Sequence, residues 1–284
     1  MASTHRLHHV PAPAKLNLFL HITGRREDGY HLLESAFMLI DWWDILHFDV
    51  RTDGKLIRRD LTHALPAEDL CLKAARLLQQ VSGTSHGALI QIEKRVPAQA
   101  GMGGGSSDAA TTLLALNRLW ELDWPLSKLL PLGLSLGADV PFFLRGRNAW
   151  VQGIGETITP VLLPHARFAV LKPAEGLETA QIFKHPELKR DSSPATMSDF
   201  AARPFAFGRN DLQAVARRLC PQVDQSLEWF IRQGLRPGMT GSGSAVFARI
   251  SSDTMLSDPP KGWQLQLCSN LEIHPLAGWV SCDV

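Results

Sequence analysis

Apolar and polar residues alternate from Ala14 to Thr23. Leu16, Leu18, Leu20 and Ile22 fall on one side; Lys15, Asn17, Phe19 and His21 fall on the other. A period of two predicts a strand over 14–23 with one buried face. The polar run 24–29 predicts a turn. Further strands are predicted over 33–40, 45–50 and 88–93. Leu70, Ala74, Leu77, Leu78 and Val81 recur at helical spacing and predict a helix over 69–81. Helices follow over 106–120 and 126–136, the second broken by the glycine and proline of 137–141. Residues 150–158 read as strand and turn, 168–171 as a strand, and 210–219 and 223–233 as helices. A glycine-rich loop over 238–243 leads into a strand over 245–250. The polar stretch 188–204, with Pro194 and Pro204, predicts a long mobile connection. There is no internal repeat. The pattern changes character after Pro160, which predicts two domains, 1–160 and 161–284.

The segment 97–110 adds chemistry to this pattern. Gly101, Gly103, Gly104 and Gly105 run into Ser106, Ser107 and Asp108, and an alanine- and leucine-rich helical pattern follows. Glycines let a backbone approach a bulky anion closely. A following helix turns its free N–H groups and the positive end of its dipole toward that anion. Ser106, Ser107 or Asp108 is placed to cap the helix. The segment therefore predicts a phosphate cradle. It is not a Walker A loop, because no Gly-Lys-Ser/Thr ending exists. It is not a Rossmann fingerprint either, because Ser106 stands where the third glycine belongs. The protein-kinase motif set is missing.

Composition narrows the partners. The chain has 284 residues, 45% of them hydrophobic, with 29 basic and 28 acidic side chains and a net charge of +1. That accommodates two ordinary domains and gives no basic excess for nucleic acid or membrane. Cys71, Cys220, Cys268 and Cys282 lie far apart with no zinc spacing, which reads as reduced thiols in a cytoplasmic protein. Residues 1–14, with the His8–His9 pair, read as a mobile tail without the apolar core of a signal peptide.

The order of three motifs is more specific than any one of them. Pro97 with Gly101, Gly103 and the serines, Pro13 to Leu18 near the start, and Gly238 to Ala245 near the end together resemble the GHMP kinases. That resemblance spans the chain and implies an α+β, two-domain fold. Its N-terminal domain is like domain 2 of ribosomal protein S5, and its C-terminal domain is ferredoxin-like. Lys15 and Asn17, Gly29 to His31, the glycines 103–105, Gly137 to Pro141, Gly153 to Glu156, and Asn210 to Leu212 narrow the likeness to one branch. Its members phosphorylate CDP-methylerythritol (4-diphosphocytidyl-2-C-methyl-D-erythritol) at the 2-hydroxyl in the non-mevalonate isoprenoid pathway. Homoserine, mevalonate or a sugar is the alternative acceptor, and a catalytically silent nucleotide-binding protein is the alternative class.

The resemblance also assigns roles. Asp139, which local sequence alone leaves as a turn or capping aspartate, becomes the catalytic base. Lys15, otherwise a solvated strand lysine, becomes its partner. Pro97, Ala98, Gln99, Ala100, Gly101, Met102, Gly103, Gly104, Gly105, Ser106 and Ser107 become the ATP loop. Asn17 and Thr179 fall near the acceptor and the phosphates. Tyr30 and Phe183 would sandwich the cytosine while His31 reads its edge. ATP is the implied donor. Mg²⁺ is expected through the ATP phosphates with Ser107, and no protein carboxylate is assigned as a metal ligand. The expected assembly is a monomer or weak homodimer. Three departures stand out: Met102 in place of a common Leu, Gln99 and Ala100 in place of smaller residues, and Asp69 where Asn is common on the adenine side.

Overall fold

A computed structural model describes residues 5–281. The N-terminal part contains β1 (Arg6–Arg25), β2 (His31–Arg51), β3 (Leu56–Asp60), α1 (Leu70–Ser82), β4 (Gly87–Glu93), α2 (Gly104–Leu119), α3 (Leu126–Leu136), α4 (Val140–Arg145), β5 (Ala149–Gly153) and β6 (Thr157–Pro160). The remainder contains β7 (Arg167–Lys172), α5 (Thr179–Lys184), α6 (Met197–Ala202), α7 (Gln213–Leu219), α8 (Pro221–Ile231), β8 (Pro237–Met239), β9 (Val246–Ile250) and β10 (Gln264–Ser269).

β1 and β2 form one long antiparallel hairpin. The other edge of β2 is shared, its first part pairing with β5 and its last with β4. The resulting six-stranded sheet runs β3-β4-β2-β5-β6, with β1 on β2; the second sheet is four-stranded in the order β10-β7-β9-β8. Helices α1, α2 and α4 cover one face of the first sheet around Leu39, Phe48, Leu113 and Phe142. Its other face meets the second sheet through Leu16, Met38, Val170 and Phe247.

This sandwiching overturns the expectation of a one-faced first strand. Lys15, Asn17 and Phe19 are buried, as are Leu16, Leu20 and Ile22. The alternation survives as a chemical contrast, not as a solvent contrast, because both faces are covered. Irregularities between Pro13 and Lys15, and between Asn17 and Leu20, bracket the short stretch that carries Lys15 and Asn17. Such bulges re-aim side chains locally.

Other expectations change for similar reasons. Residues 33–40 and 45–50 are one strand, since the intervening polar Asp44 is buried as an acceptor instead of turning the chain. From Arg6 onward the expected tail is part of β1, with His8 and His9 packed edge-on against His47; residues 1–4 lie outside the described residues. Cys282 also lies outside them, whereas Cys71, Cys220 and Cys268 are free and buried.

The stretch 188–204 is anchored rather than loose. Phe200 is buried among Phe19, Trp150 and Phe207. The Ser192 N–H donates to the Ile22 carbonyl at 3.0 Å, and the Ala195 N–H to Glu34 Oε2 at 2.6 Å. A polar composition hid these few anchors. No helix among the described residues is long and apolar enough to cross a membrane.

The last described stretch returns to the first sheet. Buried His274 accepts from the Leu276 N–H through Nδ1 at 3.0 Å, while its Nε2 has no partner. Burial pushes its pKa down to about 4, from an ordinary value of 6.5. A histidine with a depressed folded pKa contributes stability above the unfolded value, and that contribution is lost as pH falls toward the folded one. Stability should therefore decline between about pH 6.5 and 4, by up to roughly 3 kcal/mol from this residue. His274→Gln should flatten that part of the profile; an unchanged acid limb in denaturant melts at stepped pH would contradict it.

Candidate active site

The glycine loop 97–107 is positioned by the second glycine loop. The Ser244 N–H donates to the Gln99 carbonyl at 3.0 Å, and Ala245 N–H to the Ala100 carbonyl at 3.3 Å. Gly101 has φ +70°, and a Cβ there would lie 2.2 Å from the Thr240 carbonyl oxygen. Gly103 also has φ +70°, and a Cβ there would press on Phe143 at 3.0 Å and on Lys15 Cε at 3.3 Å. These glycines permit a close approach of backbones as well as a turn.

Helix α2 begins at Gly104, not at 106, and Gly103 in the left-handed region is its cap. No side chain caps it, which overturns the capping role expected of Ser106, Ser107 or Asp108. The glycine conformation starts the helix earlier, so the serines and Asp108 fall inside its first turns. Free N–H groups at this end therefore face the loop's concavity.

Lys15 leaves the middle of β1 beside this loop, and its N–H donates to the Met102 carbonyl at 3.0 Å. Its ammonium donates to Asn17 Oδ1, lies 4.6 Å from the Phe37 ring centre and is 3.6 Å from Asp139 Oδ2. Burial lowers the Lys15 pKa, and the Asp139 carboxylate opposes that shift. The Lys15 side chain is 4% exposed and that of Asp139 31%. The cation thus sits behind the carboxylate, which opens to the cleft. Asp139 immediately precedes α4 but makes no side-chain bond to it, so its oxygens are not consumed in capping.

Asn17 is held from several sides. Its N–H donates to Thr240 Oγ1 at 2.9 Å and its amide nitrogen to Ser35 Oγ at 2.9 Å. Thr240 in turn donates to the Gly101 carbonyl at 3.2 Å. One hydroxyl thereby ties the first strand and both glycine loops together.

A single cleft of about 1380 Å³ takes in Lys15, Asn17, Asp139, residues 97–106, Tyr30, His31, Thr179 and Phe183. Ser107 is not on its wall; it is buried, and its hydroxyl has no partner. Thr179 Oγ1 is 2.7 Å from Ser242 Oγ of the second glycine loop. At the other end, Tyr30 is 61% exposed, and the His31 and Phe183 rings lie 5.1 Å apart, tilted by 38°. Asp69 caps α1 through the Leu72 N–H at 3.0 Å and pairs with Arg58 at 3.0 Å. The sequence departure at that position is thereby a structural cap on the cleft wall.

Several supporting residues carried no signal of their own. Lys94 pairs with Asp44 and, at 2.6 Å, with Asp108. Burial opposes the charge on Lys94, but the two carboxylates overcome it and raise its pKa; burial in turn raises that of Asp108, against the pull of Lys94. Asp44 also accepts from the Arg95 and Val96 N–H groups at 2.6 and 2.8 Å, fixing the strand end that leads into the glycine loop. Lys94→Met would leave two carboxylates buried together without their cation. About 3–5 kcal/mol of stability should be lost, read as a lowered midpoint in urea; a loss below 1 kcal/mol would contradict it.

Asn210 holds the second glycine loop by donating to the Met239 and Gly241 carbonyls at 2.8 and 2.7 Å. Asp211 accepts from the Ile22 N–H at 2.9 Å and from Ser192 Oγ at 2.6 Å. Arg190 donates to His31 Nε2 at 3.0 Å. These pairings join residues distant in the chain, which no local pattern reveals.

Helix-backed and loop-locked, with a buried lysine behind an open aspartate, this cleft is that of a small-molecule kinase. Residues 69–147 match the family description "GHMP kinases N terminal domain" and residues 196–255 match "GHMP kinases C terminal". The chain belongs to the GHMP kinases. Its relatives are more particular. Over 277 residues it is 62% identical to a protein of Albidiferax ferrireducens named 4-diphosphocytidyl-2-C-methyl-D-erythritol kinase, covering 98% of this chain and 96% of that protein. A protein of the same name from Paracidovorax citrulli is 60% identical, covering 97% of this chain and 98% of the relative. Among solved structures, a 4-(cytidine 5'-diphospho)-2C-methyl-D-erythritol kinase superposes with a TM-score of 0.73 at 33% identity, covering 92% of this chain and 98% of that one.

Proposed function

We propose that this chain transfers the γ-phosphoryl group of ATP to the 2-hydroxyl of CDP-methylerythritol. The observation that carries this reading is the Lys15–Asp139 pair, 3.6 Å apart, in one cleft with the glycine loop and with Tyr30, His31 and Phe183. Identity of 62% to a relative named for that acceptor supports the choice of substrate.

In this reading residues 1–160 form the nucleotide-binding domain, and residues 161–284 complete the acceptor side. ATP phosphates lie on the N–H groups of 101–106 and the start of α2. Asn17 positions the acceptor. Asp139 takes the proton of the 2-hydroxyl as its oxygen bonds to the γ-phosphorus and the bond to the β-phosphate bridging oxygen breaks. ADP leaves with that oxygen. Lys15, 3.6 Å from Asp139, pairs with its carboxylate and offsets the negative charge of the transferred group. Tyr30 and Phe183 offer faces for the cytosine, with His31 at its edge.

For the metal, no group of three His, Cys, Asp or Glu among the described residues could hold an ion. The Ser107 hydroxyl, buried off the cleft wall, presents no ligand to it, against the expectation for that residue; Mg²⁺ would be held through the ATP phosphate oxygens, whose charge it would neutralise.

The test is direct. ATP and CDP-methylerythritol should give ADP and a singly phosphorylated acceptor, identified by mass and by phosphorus NMR. CMP should compete with the acceptor. Phosphorylation of homoserine, mevalonate or a sugar in its place, with no effect of CMP, would overturn the reading; ATP binding without phosphorylation of any alcohol would favour a silent nucleotide-binding protein.

A further inference from the structure

The guanidinium of Arg190 makes an unusually complete set of contacts for a side chain in a loop. Nε donates to His31 Nε2 at 3.0 Å. Nη2 donates to the Phe183 carbonyl at 3.1 Å and to the His185 carbonyl at 2.9 Å. Nη1 donates to the Leu188 carbonyl at 3.0 Å and reaches the Pro186 carbonyl at 3.4 Å. One planar fork thus gathers the chain from 183 to 188 and joins it to a histidine 159 positions away. Lysine has no comparable fork.

We propose that Arg190 is a specificity-positioning residue that locks His31 as its neutral Nδ1–H tautomer and holds the Phe183 ring against it. A guanidinium only donates, so Nε2 must accept and the ring hydrogen must sit on Nδ1. Burial and the neighbouring Arg190 and Arg25 cations all disfavour a protonated ring. His31 therefore presents a fixed hydrogen-bond donor at Nδ1. A ring with a lone pair at the facing position, as cytosine has at N3, can accept from such a donor. Uracil carries N3–H there and cannot. Because Arg190 also holds the Phe183 carbonyl, the edge-reading group and the stacking ring are set by the same side chain.

This inference rests on the cytosine reading of that end of the cleft, and the experiment separates the two. In full-length protein labelled with ¹⁵N-histidine, the His31 signals, assigned by their loss in His31→Gln, should show an unprotonated Nε2 and a protonated Nδ1 at pH 7.5. In Arg190→Ala and Arg190→Lys the KM for the cytidine acceptor should rise about tenfold or more, the scale of losing hydrogen bonds from a charged group. The KM for ATP should stay within about twofold, since the ATP loop lies elsewhere in the cleft. In a His31→Gln background, Arg190→Ala should add less than it does alone, because the two act as one unit. A protonated Nε2 in the wild type overturns the tautomer lock even if either variant folds poorly. Fully additive effects overturn action through His31. Failure of CMP to compete in the wild type overturns the cytosine reading itself, whatever tautomer is found.

Discussion

Asp139→Asn is expected to lower kcat by about 10²–10⁴-fold, the range of a positioned base, while ATP affinity changes by less than about threefold. The amide keeps the size and polarity of the side chain but cannot take the hydroxyl proton. Asp139 is open to the cleft and makes no capping bond, so the substitution should leave α4 intact. Lys15 would respond as well. Burial already lowers its pKa, and Asp139 is the group that opposes the shift. Without the carboxylate its pKa should fall further, so residual activity in Asp139→Asn should decline at a lower pH than in the wild type. Steady-state kinetics across pH, with ATP titrated calorimetrically, check both parts. Turnover within a few-fold of the wild type would remove Asp139 from the chemistry.

Gly101→Ala is expected to have the second largest effect. The new Cβ would lie 2.2 Å from the Thr240 carbonyl oxygen and 2.8 Å from the Gly243 nitrogen, at φ +70°. Backbone cannot swing aside as a long side chain can. Relief would have to part the two glycine loops, breaking the Thr240 bond to Gly101 and loosening Asn17. The positive φ adds about 1 kcal/mol for a residue with a Cβ, and separation of the loops should bring the total to roughly 3 kcal/mol or more. ATP affinity should fall with it. Gly83→Ala is the control: its φ is +69° too, but a Cβ there meets nothing within 4 Å. It should cost only the conformational part. Equal losses in the two variants, measured by urea midpoint and ATP titration, would show that the loop contact contributes nothing.

The residues of the candidate site were legible in the sequence to different degrees. The glycine cluster alone is equally an ordinary turn before a helix; it pointed to an anion cradle only together with Pro97, the two serines and the helical alanine run that follow in order. Lys15 and Asp139 were legible only through the order of the motifs around them. Neither is unusual locally, and 124 positions of chain separate them (139 − 15). Lys94, Asp44 and Arg190 were not legible at all, and Asn210 was legible only as part of the Asn210–Leu212 motif, without its partners. Each is an ordinary polar residue until the fold supplies a distant partner. The same limit explains the stretch 188–204, where Phe200 and a few backbone bonds anchor a segment whose composition is that of a loose connection.

By itself, then, the sequence determined the elements with strong periodicity, the glycine-rich turn that leads into a helix over 97–107, and the family. Those depend on local backbone freedom and on the order of motifs, both of which are written along the chain. Tertiary structure alone decided that β1 is covered on both faces, that α2 starts at its glycine cap, and that Lys15 stands behind Asp139. Burial, charge pairing and close backbone approach are properties of what comes to lie next to a residue. They arise only when β1, the two glycine loops and α4 are brought together.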